Sequence, residues 1–220
     1  MTKKLFWDHP YQKNLETVVT VTADNFVKLQ ETIFYAFSGG QESDSGTIGG
    51  HQVLEARKNG IDIEYLLSSG HGLVAGNAVT VEIDWQRRYQ LMRLHFAAEL
   101  ILELVYRHLK GVEKIGAHIA EKKARLDFLW PQNIASYFPI LLPEAQKLVA
   151  EDHQIISAFA DERTQRRYWE ISGFARVSCG GTHLKRTSEV GVMSLKRRNI
   201  GQGKERIEVF VDVKNCAAES

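Results

Sequence analysis

Two pairs of side chains in this 220-residue chain could hold a metal ion, and in each pair the members stand four residues apart: His95 with Glu99, and Cys179 with His183. Imidazole nitrogen, thiolate sulfur and carboxylate oxygen are donors that Zn²⁺ accepts in a tetrahedral site. A separation of four puts both members of a pair on one side of a helix, or lets a tight turn bring them together. The second pair sits in the run Cys179-Gly-Gly-Thr-His183, where Gly180 and Gly181 allow the chain to fold back sharply. Taken alone, His95 is most simply a hydrogen-bonded core histidine and Cys179 a packed thiol; taken together, the two pairs describe one site. A second stretch with chemical potential is residues 37–46, where the paired Gly39 and Gly40 let the backbone approach a ligand and Gln41 and Asp44 add directional hydrogen-bonding groups. The simpler alternative for that stretch is a hairpin loop facing water.

These residues need elements to place them. Leu91, Leu94, Ala98, Ile101, Val105 and Leu109 recur at intervals of three and four, so the spacing predicts a helix over residues 84–110 with that stripe facing a core and His95 and Glu99 on its flank. Before the helix, residues 17–22, 32–37 and 79–83 read as strands separated by glycine turns, which suggests a small β-barrel over residues 1–84. After it, residues 85–220 read as an α+β domain. This has a hairpin over 117–128, a second helix starting near Pro143 and running to Phe159, and strands at 190–195 and 207–211. The fold class expected for the whole chain is α+β in two domains.

Composition narrows the setting. Lys and Arg total 28 against 27 Asp and Glu, so binding to nucleic acid would need a local basic patch rather than a global field. Lys196, Arg197 and Arg198 are the candidates for phosphate contacts. The N-terminus has no apolar stretch of the secretory type, and the longest apolar run is broken by His95, Glu99 and Glu103. With only two cysteines, the chain is expected to be a cytoplasmic protein with no membrane association, and its oligomeric state is open.

A set of motifs carries a resemblance. The runs Asp84-Trp-Gln-Arg-Arg88, Met92-Arg-Leu-His95, Arg125-Leu-Asp-Phe128, Cys179-Gly-Gly-Thr-His183 and Gly191 after Ser188-Glu-Val resemble the editing domain of alanyl-tRNA synthetases and its free-standing relatives of the AlaX type. Phe34-Tyr35 and the loop Ser38-Gly-Gly-Gln-Glu-Ser-Asp44 extend the similarity into the N-terminal part, where that family has a glycine-rich motif in a small barrel. The resemblance implies an alanyl/threonyl-tRNA synthetase editing-type domain after the barrel. It implies a zinc-dependent aminoacyl-tRNA deacylase acting in trans on alanine tRNA mischarged with serine or glycine. His95, Cys179 and His183 stand at three of the four metal positions, and Glu99 stands where the family has a second histidine. Phe96 replaces a threonine, while Ser38 and Glu42 replace glycine and proline. On this reading Gln41, Asp44 and backbone amides of the glycine turns would orient the ester, and Thr182 is a further candidate to meet the serine hydroxyl, the alternative being that it fixes the turn through its own backbone. A relative that has lost its metal and only binds tRNA or a partner protein would carry the same motifs, as would a hydrolase of another small aminoacyl ester.

Overall fold

The computed structural model describes residues 1–212 and shows a mixed α+β fold, mostly sheet, with two α-helices among the described residues. No helix there is long and apolar enough to cross a membrane. The chain separates into two compact units, one made of Met1–Ser38 and Glu42–Tyr89, the other of Gly39–Gln41 and the chain from Gln90 onward. Of the two cysteines, Cys179 is a free thiol and Cys216 lies outside the described residues.

The first unit is built from β1 (Lys3–Lys4), β2 (Asn14–Ala23), β3 (Phe26–Leu29), β4 (Glu31–Thr32), β5 (Gly46–Ile48), β6 (His51–Asn59), β7 (Asp62–Leu67) and β8 (Ala78–Ile83). β1 and β4 form a short parallel pair, while the others pair in a closed circuit, β2-β3-β7-β6-β5-β8 and back to β2. Alternation decides what they bury: in β8, Val79, Val81 and Ile83 face in while Ala78, Thr80 and Glu82 face out. Residues 32–37 were expected to continue as a strand, but only Glu31–Thr32 pairs. Ile33, Phe34, Tyr35 and Ala36 are buried without forming a ladder, because their backbone groups are claimed by side chains. Tyr35 N–H donates to Asp44 Oδ2 at 2.6 Å, and Ile33 C=O accepts from Arg88 Nη2 at 2.6 Å.

That contact corrects the role expected for Asp44. Its carboxylate is fully buried and forked by the equally buried Arg88, with Nε donating to Oδ1 at 2.7 Å and Nη2 to Oδ2, while Arg88 Nη1 reaches Pro10 C=O at 3.0 Å. Both oxygens are therefore engaged in holding the segment around Tyr35, and the carboxylate has no exposed surface with which to orient an ester.

Helix α1 (Trp85–His108) begins where the sequence suggested, with Asp84 as its cap: Oδ1 accepts from Arg87 N–H at 3.0 Å. It is buried on nearly every side from Leu91 to Leu102, not along a single stripe, which makes it a core helix. In the second unit follow β9 (Glu113–Ile119), β10 (Ala124–Leu129), α2 (Phe138–Ala150), β11 (Ile156–Asp161), β12 (Arg166–Ile171), β13 (Ala175–Ser178), β14 (Met193–Gly201) and β15 (Lys204–Val211). The strands make two antiparallel sheets, β14-β15-β10-β9 and β11-β12-β13.

The second helix differs from the expectation at both ends. It starts at Phe138, so Pro139 rather than Pro143 serves its first turn, and Pro143 lies inside it. It stops at Ala150 because Asp152 takes a left-handed conformation, φ 53°. The apolar residues from Ile156 to Phe159, which extended the helical spacing by coincidence, belong to β11.

The segment Gly39–Gln41 clusters with the second unit, fastened to the end of β9. Ile119 N–H donates to Gly40 C=O at 2.7 Å and Gln41 bridges Ile119 in parallel. Gly40 has φ +87°, and a Cβ there would stand 2.6 Å from Ala117 O, so only glycine fits. Replacing Asp44 by alanine is expected to leave the Arg88 charge buried without a partner and to lower the stability of the first unit by about 3–5 kcal/mol. The urea midpoint followed by the fluorescence of Trp7 and Trp85 measures this, and a loss below about 1 kcal/mol would show the pair to be dispensable.

Candidate metal centre

The two pairs meet. α1 presents His95 and Glu99 one turn apart, and β13 runs out into Cys179, whose N–H still bonds to Arg167 C=O of β12 at 3.0 Å before the chain turns through Gly180 and Gly181 to His183. Cys179 Sγ lies 3.3 Å from His95 Nε2 and 3.2 Å from His183 Nε2, and Glu99 Oε1 lies 3.3 Å from His95 Nε2 and 3.7 Å from the sulfur. The donor atoms of His95, Cys179 and His183 all fall within 4.8 Å of one another. A tetrahedral ion with bonds of about 2.0–2.3 Å sets neighbouring donors about 3.3–3.8 Å apart, so these separations suit a divalent cation held by the three, while Glu99 stands beside two of them, His95 and Cys179.

Glycine at 181 is a matter of room. Neither Gly180 nor Gly181 has a positive φ, but a Cβ on Gly181 would stand 2.0 Å from His95 Cε1 and 2.8 Å from Gln41 Oε1. The turn thus packs its backbone against the imidazole ring. Gly180 has open space around its Cβ position.

Each donor but the thiolate is turned toward the centre by a hydrogen bond from its far side. His95 Nδ1 is 2.6 Å from Gln41 Oε1, an acceptor, so Nδ1 carries a proton and Nε2 is the atom turned to the cluster, where it holds a second proton until a cation displaces it. His183 Nδ1 is 2.9 Å from Ser157 Oγ. The indole Nε1–H of Trp169 donates to Glu99 Oε2 at 3.1 Å, leaving Oε1 for the cluster. Ser157 and Trp169 are direct cross-strand partners in β11 and β12, so one row of the three-stranded sheet delivers both supports. Gln41 holds two groups at once: Oε1 also accepts from Thr182 N–H at 3.3 Å, and Nε2 donates to Thr182 Oγ1 at 2.9 Å. Gln41, expected to orient a substrate, instead orients His95 and Thr182.

Charge completes the picture. Burial alone would lower the pKa of His95, but the Cys179 thiolate and then the Glu99 carboxylate beside it outweigh burial and raise it to about 10. Burial would raise Cys179; the charges of His95 and His183 draw it down to about 6. Burial would also raise Glu99, which the hydrogen bond and charge of His95, followed by Trp169, hold well below the usual carboxylate range. Near neutral pH the cluster is therefore a thiolate and a carboxylate neutralised by imidazolium, an arrangement in which a cation can take the place of a proton.

The basic candidates lie elsewhere in this unit, on β14. Arg197 forks the buried carboxylate of Glu205, Arg198 bonds to Glu208 at 3.0 Å, and Lys196 sits over the Phe210 ring at 5.2 Å. None of the three reaches the cluster through these contacts.

Comparison with known proteins agrees with the geometry. The chain is 34% identical to the alanyl-tRNA editing protein AlaX-M of Pyrococcus horikoshii over 96% of its own length and 99% of that protein's. It belongs to the alanyl-tRNA editing family. The AlaX-M protein of Methanosarcina barkeri is 33% identical, covering 94% of this chain and 98% of the relative. The alanine–tRNA ligase of Ignicoccus hospitalis is 32% identical over the whole of this chain but only 27% of the ligase, so the similarity lies in one part of the larger protein. No family model matches the chain.

Two residues of α1, Phe96 and Glu99, touch the same indole. Trp169 bonds to Glu99 and packs edge-on against Phe96, ring centroids 5.1 Å apart, while Phe96 stands in turn 6.1 Å from the His183 ring. Ser157 and Trp169 escaped sequence reading because a serine and a tryptophan in strands carry no motif; only the β11–β12 register puts them at the site.

Titration with zinc at pH 7.5 is expected to release about one proton per ion, from His95, because Cys179 is already thiolate there. The affinity should therefore rise about tenfold per pH unit between about pH 6 and 10, and more steeply below pH 6, where the thiol must also lose its proton. Calorimetry in buffers of different ionisation enthalpy reads this directly. Zinc binding without proton release at pH 7.5 would show that His95 is neutral there and not held protonated by the two anions. Trp169→Phe should weaken zinc about 10–100-fold by releasing Glu99.

Proposed function

We propose that the protein is a zinc-dependent deacylase that hydrolyses, in trans, the ester linking serine or glycine to alanine tRNA. The observation that carries this reading is the convergence of His95, Cys179 and His183, with Glu99 against two of them, in a chain whose relatives along its whole length are named for alanyl-tRNA editing. The closed circuit of strands in the first unit is, on this reading, the small barrel of the family, and the helix and two sheets of the second unit its editing-type domain.

His95, Cys179 and His183, with Glu99 beside them, would hold the ion; zinc would polarise a carbonyl or water oxygen, as ester hydrolysis requires, by taking that oxygen in place of Glu99 or as a fifth ligand. The remaining steps belong to the protein's own groups. Gln41 fixes His95 in the Nδ1–H tautomer, and its amide N–H to Thr182 Oγ1 leaves the threonine's own O–H free to donate. That hydroxyl is the group we assign to meet the serine side chain. A buried polar partner of this kind favours a substrate that carries a hydroxyl over alanine, which would leave it unpaired. Glu99 adds a second negative charge beside the thiolate, so the ion would be a weaker Lewis acid here than with a third histidine. Rapid turnover would then rest on positioning more than on polarisation.

Alanine tRNA charged separately with serine, glycine and alanine provides the test. Release of serine and glycine should outpace release of alanine, and Cys179→Ala should abolish the difference. Thr182→Val should slow serine release about 10–100-fold while leaving glycine release close to wild type. Decay of all three esters at the rate seen without protein would refute the reading.

A further inference from the structure

The register of the four-stranded sheet sorts its charged residues in a way that the sequence could not show. The core face carries Ala124, Leu126, Ile207 and Val209, all buried. On the opposite face two cross-strand rows follow from the pairing: His118, Arg125, Glu208 and Lys196 in one, and Gly116, Asp127, Arg206 and Arg198 in the other. Arg197 falls on the core side and is spent on Glu205. The basic run on β14 is thus divided, and its first and third members join cations from β10 and β15.

The charges on this face are layered. Glu208 is held by Lys123 at 2.5 Å and Arg198 at 3.0 Å, and Asp127 by Arg206 at 2.6 and 2.9 Å with Arg125 at 3.9 Å. The two carboxylates have side chains only 3% and 12% exposed, whereas those of Arg198, Arg125 and Lys123 are 65%, 40% and 40% exposed. The anions lie underneath and the cations on top, so the face presents more positive field than its count of charges implies. Each carboxylate also props its arginine upright, with guanidinium N–H groups left over for a phosphate.

We propose that this face is a docking surface for the phosphate backbone of RNA, and the inference rests on the reading of tRNA as substrate. Charge complementarity selects the occupant: a lattice of lysine and arginine over buried carboxylates suits spaced phosphates, while an anionic membrane would also engage exposed apolar side chains, of which the two rows have none and the row beside them has Leu129. Arg125 and Lys196 are the residues to change, because neither holds a carboxylate in a close ion pair.

The experiment measures tRNA affinity against salt for the wild type, for the double variant Arg125→Ala/Lys196→Ala, for its conservative counterpart Arg125→Lys/Lys196→Arg, and for Lys147→Ala on α2 as a single-charge control. The first double variant should bind tRNA about tenfold more weakly at 0.15 M salt, and its slope of log affinity on log salt should be shallower by about two. The conservative pair should restore both, and Lys147→Ala should change neither. Equal affinity and slope in the alanine pair and the wild type, with mischarged tRNA still hydrolysed, would overturn the surface and leave the deacylase standing. Salt-dependent binding lost in the alanine pair, in a wild type that hydrolyses no ester, would support the surface and refute the deacylase. A wild type that binds phosphatidylserine vesicles in preference to tRNA would overturn the assignment to RNA.

Discussion

A thiol and a carboxylate meet 3.7 Å apart in a buried place, and as anions they would repel each other by about 4 kcal/mol at an effective dielectric near 20, so the groups packed around them must supply the balancing charge. In the metal-free protein His95 does so by keeping its proton, and its pKa rises to about 10 as a result. A divalent cation would relieve it more completely, because it neutralises both anions and uses the two imidazole lone pairs as well. The neighbouring hydrogen bonds make sense on that footing. Gln41, Ser157 and Trp169 each hold the outer atom of a donor group, so the inner atoms point at one place before any ion arrives.

Glu99 gains meaning from this arrangement. A carboxylate left over from the decay of a metal site would have no reason to own a dedicated donor, yet a fully buried indole N–H is spent on its outer oxygen. Trp169 also packs on Phe96, the other helix residue that departs from the family pattern. The two departures are therefore one structural unit, built on a single side chain from β12. With Glu99 as a donor, the proposed ligand set would be more anionic than one with three histidines, which would favour holding the cation over sharpening it as an electrophile.

Much of this was legible in the sequence for a simple reason: His95 with Glu99, and Cys179 with His183, are local pairs, and a spacing of four states its own geometry. The helix that carries the first pair announced itself by periodicity, and its cap at Asp84 lies where the motif begins. What depended on contacts between distant residues was not legible. Asp44 reads as a polar loop residue until Arg88, 44 positions away, is seen to claim both its oxygens. Ser157 and Trp169 reach the site through strand register, which no local pattern encodes. The second helix was misplaced because Ile156 and Phe159 happen to continue its spacing, and the left-handed turn at Asp152 that ends it falls on an ordinary residue. Register also split the basic run at residues 196–198, which looks uniform when read as letters.

The account's central claim is that four side chains from a helix and a turn make one metal site with Glu99 in it. X-ray absorption at the zinc edge of the loaded protein tests that most directly. The account predicts one sulfur at about 2.3 Å and three nitrogen or oxygen donors at about 2.0–2.2 Å, two of them with imidazole scattering, and the loss of one oxygen donor or its replacement by water in Glu99→Ala. A shell without sulfur, or one unchanged when Glu99 is removed, would contradict it.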